Sequence, residues 1–375
     1  MNANGGHRRR VLHHSRAVGH DPRDPPREPD TAADDRPAAI DVSVLIPILN
    51  EGAYLDMTVP AMLEQDFEGR IEFLFMDGGS SDDSRAIVER FAAGDPRIRL
   101  LENPARRTPH GLNIGLRHAS GEFAARMDAH TLYPACYVRD GVQRLRRGDV
   151  AWVSGPQLAV GDGIWSRRIA LALSTKLGTG GARFRHQQSS ELEVDSGFTG
   201  IWSIDSLRAH GGWDEGWPND QDFELAARIR REGGRIVCLP SMAASYIPRA
   251  SLKALGRQYA RYGHYRVKTA RRHPHSFRRS QALPPVLALT TTAALAAPGA
   301  LRRTAQVALA AYGASLLAAT VPALRRARFR DVVWLPLVLA TMHMTYGFGF
   351  LAGCARFGPP LAGLLAPARR RARER

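Results

Sequence analysis

Lysine is nearly absent. Lys176, Lys253 and Lys268 are the only three, so arginine carries almost all the positive charge of a 375-residue chain with formal net charge +16. That bias reflects genome base composition as much as any binding role. Cysteine is also scarce: Cys136, Cys238 and Cys354 are odd in number and form no CxxC pair. A disulfide scaffold is excluded, and a reducing compartment is implied for most of the chain. No Walker A, GxGxxG or GxSxG pattern occurs, so kinase, dinucleotide-dehydrogenase and α/β-hydrolase readings lack their main sequence support. Residues 1–40 are rich in Arg, Asp, Pro and His and lack the apolar core, ~7–15 residues long, of a secretory signal. They are predicted to be a disordered tail, because they bury too little apolar surface to offset ordering entropy.

From residue 41 the texture is that of a folded α/β domain extending to about residue 250. VSVLIPILN (42–50) reads as a buried parallel strand. A helix bearing Leu55, Val59 and Leu63 follows, then a strand at IEFLFMD (71–77) and a helix from Ser81 to Phe91. IRLLEN (98–103) is the third strand, 110–119 is helical, and EFAARMDAH (122–130) is the fourth strand. This alternation implies βαβ units and a parallel sheet, with any ligand lying beyond the carboxyl ends of the strands. Asn50, Glu51, Asp77, Asp128 and His130 all fall at those ends.

Each group has its own chemistry. Asp77 opens DGGSSDDS, where a carboxylate before a helix N-terminus can accept from a base or ribose; Ser80, Ser81 or Asp82 could equally serve as a plain N-cap. In an extended strand, Asp128 and His130 point the same way and could share one divalent cation, Mg²⁺ or, with a histidine present, Mn²⁺. Asp220-Gln221-Asp222 precedes FELAARIRREGG, which reads as the start of a helix; Asp222 at that N-terminus is favoured as its anion and suits a general base as well as a cap.

Past residue 250 the pattern changes again. Residues 251–280 form a basic amphipathic segment: Leu252, Leu255, Tyr259 and Tyr262 share one helical face, and Arg257, Arg261, Arg266, Lys268, Arg271 and Arg272 crowd the rest. This predicts a helix lying in a membrane interface, or else one packed on its own domain. Residues 281–355 hold three apolar stretches, at 282–300, 304–324 and 331–354, each of a length to cross a hydrocarbon core ~30 Å thick. An Arg-rich tail covers 356–375. The expectation is a multi-pass protein with two or three membrane helices and a cytoplasmic catalytic domain. Basic clusters flank the apolar spans and fill the tail, so lipid headgroups are a simpler partner than nucleic acid.

Taken in order, VSVLIPILNE, FMDGGSSDDS, HGLNIGLRHASGEFAARMDAH and GGWDEGWPNDQDFELAARIR resemble the inverting family 2 glycosyltransferases of the GT-A fold. The DAH form, the VDSGF stretch at 194–198 and the apolar C-terminus look most like members that assemble exopolysaccharides, succinoglycan-type enzymes among them. The resemblance implies a Rossmann-like nucleotide-sugar domain and a plasma-membrane location. By the same resemblance Pro47, Asn50, Glu51, Asp77 and Asp128 bind the nucleotide sugar, Asp128 and His130 hold the metal, and Asp222 is the base. Gln258, Arg261 and Tyr262 match an acceptor-binding QxxRW element with Tyr in place of Trp. A UDP-sugar donor, a lipid-linked saccharide acceptor and a Mn²⁺ or Mg²⁺ cofactor are implied. Three departures stand out: DxH for DxD, Gln221 where the family has Glu, and Tyr262 for Trp. The rival readings are a catalytically inactive nucleotide-sugar-binding membrane module and, against the run of four motifs, a metal-dependent hydrolase or phosphotransferase.

Overall fold

The computed structural model describes residues 39–186 and 189–365. The tail expected at 1–40 lies outside them except for its last two residues, as do residues 366–375 of the Arg-rich tail.

The first half follows its periodicity. β1 (Val42–Ile48), α1 (Gly52–Leu63), β2 (Ile71–Asp77), α2 (Ser84–Gly94), β3 (Ile98–Glu102), α3 (Thr108–His118) and β4 (Phe123–Arg126) alternate. β1, β2, β3 and β4 pair in parallel. Every residue of β2 is buried, as an apolar strand covered on both faces requires.

The second half departs from the parallel expectation. Its elements are β5 (Thr131–Leu132), α4 (Tyr137–Leu145), β6 (Trp152–Ser154), β7 (Gln157–Ala159), α5 (Ile164–Leu173), α6 (Lys176–Thr179), β8 (Leu192–Glu193), β9 (Gly200–Ser203), α7 (Ile204–Ala209), α8 (Gln221–Arg231), β10 (Ile236–Cys238) and β11 (Ala244–Tyr246). The main sheet has eight strands in the order β3-β2-β1-β4-β9-β6-β10-β8. β9 enters antiparallel to both β4 and β6, so the sheet is mixed. β5, β11 and β7 form a second, three-stranded sheet.

The C-terminal elements are α9 (Leu252–Arg272), α10 (Leu283–Ala296), α11 (Gly299–Ala318), α12 (Thr320–Ala323), α13 (Phe329–Val332), α14 (Leu335–Phe357) and α15 (Leu361–Leu365). α9 and α14 lie side by side over most of their lengths. A methyl group on Gly263 would stand 2.1 Å from the Tyr346 carbonyl oxygen, one on Gly349 2.1 Å from that of Ala260, and one on Gly353 2.6 Å from that of His264. Such close approach is open only to small residues at helical spacing. Asp331 and the Trp165–Trp334 ring pair fix the start of this layer to α5, with Arg168 4.8 Å from each ring.

Two sequence expectations change here. The stretch at 282–300 yields the 14-residue α10, about 21 Å long and short of a ~30 Å hydrocarbon core. Pro284 and Pro298 bound it, and Pro298 cannot donate within a helix. Gly299–Ala323 and Phe329–Phe357 keep the length and apolarity needed to cross a membrane. In addition, the apolar-aromatic face of α9 does not lie bare. Leu255 is buried, and Tyr259 and Tyr262 turn into a cavity shared with α14. Arg266, assigned to the basic outer face, is buried as well.

Candidate active site

The loop after β1 and the turn after β2 are knitted together. Asn50 takes a left-handed backbone at φ 56°, which Asn tolerates better than most residues. Its N–H donates to Ser80 Oγ (2.9 Å), and its Oδ1 accepts from the Ser81 N–H (2.8 Å). Asp77 ends β2 fully buried. Its Oδ1 accepts from both the N–H and the hydroxyl of Ser80, which brings Asp77 and Asn50 to one serine. Asp77 Oδ2 is buried without a hydrogen bond, 3.8 Å from the Arg85 guanidinium. A buried carboxylate oxygen left open is an acceptor prepared for an N–H or O–H donor.

β4 stops at Arg126, opposite the first residue of β9, Gly200, while β1 runs on to Ile48 without it. Asp128 and His130 therefore stand in a turn rather than in the extended strand expected, and the two-residue alternation does not orient them. The Thr131 N–H donating to the Asp128 carbonyl closes that turn. Both side chains still line one cavity of about 980 Å³, together with Pro47 and Glu51. His130 Nδ1 lies 3.3 Å from Glu51 Oε2, and its ring meets Tyr246 edge-on.

Arg126, which sequence reasoning passed over, is the hub. Its Nε and Nη2 donate to the two oxygens of Asp128 at 2.9 and 3.3 Å, and its Nη1 donates to Asp222 Oδ1 at 2.5 Å. Burial alone would lower its pKa, but the two carboxylates raise it overall, so it stays charged. The visible signal was a single arginine inside an otherwise apolar strand. Asp222 sits in the first turn of α8. Burial pushes its carboxyl up to about 6; Arg126 opposes the shift and Asp128 adds to it. The helix terminus was expected to favour the anion, but desolvation outweighs it.

Asp220 caps the same helix from a left-handed backbone at φ 68° and holds α9 in place. It accepts from Arg266 Nη2 at 2.7 Å and from the Thr269 hydroxyl at 2.6 Å. Of the residues matched to an acceptor element, Gln258 and Tyr262 line the cavity and are joined by a 2.8 Å hydrogen bond. Arg261 is exposed and outside the cavity wall; Arg266 is the α9 arginine that enters it. Asn50 and Asp77 are also absent from the wall, Asn50 exposed to solvent and Asp77 buried behind it. Among the described residues no three His, Cys, Asp or Glu side chains converge into a metal cage.

Residues 43–204 match the model of glycosyl transferase family 2. Over 232 residues, 61% of this chain and 70% of the other, the sequence is 30% identical to the succinoglycan biosynthesis protein ExoA of Rhizobium meliloti. It is 34% identical over 89 residues, 23% of this chain and 28% of the other, to the GalNAc(5)-diNAcBac-PP-undecaprenol β-1,3-glucosyltransferase of Campylobacter jejuni. The fold is similar to that of a mannosyltransferase from Pyrobaculum calidifontis solved with GDP-Man and Mn²⁺. The TM-score is 0.55 at 20% identity, over 87% of this chain and 91% of the other.

Proposed function

This chain belongs to glycosyl transferase family 2, and on that footing we propose a membrane-anchored, inverting transferase. It moves a sugar from a nucleotide-sugar donor to a lipid-linked saccharide in exopolysaccharide or cell-surface glycan synthesis. The observation that carries the reading is the joining of Asp128 and Asp222 through Arg126 on the wall of one cavity. The relative acting on an undecaprenol-linked saccharide supports the acceptor class.

Asp222 takes the proton of the acceptor hydroxyl as its oxygen attacks the anomeric carbon. The bond from that carbon to the diphosphate breaks, the nucleoside diphosphate leaves, and the configuration inverts. A carboxyl near 6 is a stronger base than an ordinary one and remains ionised at neutral pH. Arg126 holds Asp222 in position and keeps its charge beside Asp128. Gln221 puts a neutral amide, Nε2, 3.4 Å from Asp222 Oδ2, so no second acid competes there. The open oxygen of Asp77 receives the base or ribose, and Pro47, Asn50 and Glu51 shape that end.

The fit to a divalent ion is partial. Asp128, both of whose oxygens accept from Arg126, and His130 would supply two ligands, and the donor's diphosphate would have to complete the shell, a mode that suits Mg²⁺ or Mn²⁺. Such an ion would neutralise charge on the leaving diphosphate.

Membrane attachment rests on the exposed apolar side chains of α10 and α11, such as Leu289, Leu295, Leu301 and Val307. The catalytic domain is placed in the cytoplasm, at the plasma membrane. The test is transfer by membranes containing the protein, with UDP-, GDP- and dTDP-sugars offered beside lipid-linked acceptors. Metal-dependent transfer that Asp222→Asn abolishes is the expected result. Donor binding with no transfer across the acceptor panel would instead favour the inactive binding module.

A further inference from the structure

The cavity that holds Asp128 and Asp222 does not end at the catalytic domain. Its wall continues along Leu287 of α10, Ala308 and Tyr312 of α11, and Met342 and Tyr346 of α14. One face of the void is therefore ionic and another is apolar. The helices forming the apolar part turn large hydrophobic side chains outward, including Leu289, Leu295 and Val307.

The cations on the wall fall into two groups. Arg126, Arg266 and Arg278 are engaged with Asp128 and Asp222, with Asp220, and with Asp195. Lys176, Arg185 and Arg249 line the same cavity, and none has a carboxylate partner among the described residues. Arg185 lies over the Phe184 ring at 5.5 Å; Phe184 is 6.4 Å from Phe223, and Arg266 lies 3.9 Å over the other ring of that pair. Burial raises the Tyr262 hydroxyl pKa, with Tyr246 adding to it. Arg185 and Arg249 pull it down. Two buried polar atoms on this wall, Arg266 Nη1, on a side chain 4% exposed, and the Tyr346 hydroxyl, face one another and have no other partner among the described residues. Both can donate, and buried donors are ordinarily satisfied. Unpaired cations and open donors at the mouth of an apolar slot match an anionic head on a hydrocarbon tail.

We infer that this cavity holds the acceptor as a polyprenyl diphosphate. Lys176, Arg185 and Arg249 bind its diphosphate, Arg266 Nη1 and Tyr346 supply further donors, and the slot between α10, α11 and α14 takes the first isoprene units. The inference rests on the lipid-linked acceptor proposed above. It gives that acceptor its own cations within the cavity that also holds Asp128 and His130, where the donor's diphosphate belongs.

The test uses the full chain in detergent micelles and three probes: undecaprenyl diphosphate, geranyl diphosphate and UDP. Arg185→Gln combined with Arg249→Gln is expected to weaken both prenyl diphosphates by at least about tenfold, the scale of a lost charge-assisted hydrogen bond, and to leave UDP binding unchanged. Ala308 is exposed on the slot, so Ala308→Trp should fill it without disturbing a core. That variant is expected to lose affinity for both prenyl diphosphates while retaining UDP. If UDP affinity falls with the arginines, the cations serve the donor and the assignment is overturned. It is equally overturned if undecaprenyl diphosphate binds the wild type and Ala308→Trp has no effect. A wild type that transfers to a soluble saccharide but binds no prenyl diphosphate would sink the lipid-linked acceptor itself.

Discussion

Replacing Asp222 by Asn should remove activity and add stability at once, and the two effects should share one pH dependence. Asp222 is carried by burial from 3.8 to about 6, a shift equivalent to about 3 kcal/mol favouring the protonated over the ionised form. A raised carboxyl contributes its stability fully below about 3.8 and loses it as pH rises through about 6. Above that range the wild type carries an ionised Asp222 that the fold disfavours. Asn imitates the protonated carboxyl and does not titrate. The variant should therefore melt higher than the wild type at pH 8, by about 3–6 °C, and the difference should vanish near pH 4. Thermal unfolding of the detergent-solubilised chain at several pH values measures this. Over the same range wild-type kcat should climb as pH passes about 6, and the variant should lose about 10²–10⁴-fold of it. If Asp222→Asn melts lower at pH 8, the Arg126 ion pair outweighs desolvation, and the account of Asp222 as a base raised by burial is wrong.

Other outcomes follow from neighbouring contacts. Arg126→Ala leaves Asp128 and Asp222 buried without their cation and should cost about 3–5 kcal/mol. Adding Asp222→Asn should return part of that loss, and a double-mutant cycle by denaturant unfolding reads the difference. Gly263→Ala would force a methyl group to 2.1 Å from the Tyr346 carbonyl, which should separate α9 from α14 at about 1–3 kcal/mol or more; unfolding midpoints check it. Because the described residues form no three-ligand metal cage, Mn²⁺ should bind weakly to the protein alone and much more tightly once a nucleoside diphosphate is present, as calorimetry with and without UDP would show.

The sheet edge was legible because strand ends in an α/β fold share one side, so acids after successive strands gather without any knowledge of side-chain contacts. Asp77 and Asp128 were singled out that way. The pairing of Arg126 with Asp222 was not, since 96 residues separate them and only the antiparallel entry of β9 and the left-handed Asp220 before α8 bring them together. The turn at Asp128–His130 was hidden for a related reason: where a strand ends depends on its neighbours' lengths. Amphipathic α9 was read as two-faced, but a hydrophobic pattern tells which side is covered and not by what. Its aromatic side turned out to face a cavity, and Arg261 gave way to Arg266 because the helix is rotated to seat Gly263 against α14.

The lengthwise contact of α9 and α14 also limits how this chain can be divided. A water-soluble catalytic fragment ending near residue 280 would keep Asp77, Asp128 and Asp222 yet strip α14 from the glycine-lined face of α9. That cut bares a strip of backbone and removes one wall of the reaction chamber. Exchanging the last hundred residues with those of a relative carries the same penalty, since the graft would have to reproduce the glycine register. The long apolar helices and the residues around Asp128 and Asp222 are thus a single inheritable unit.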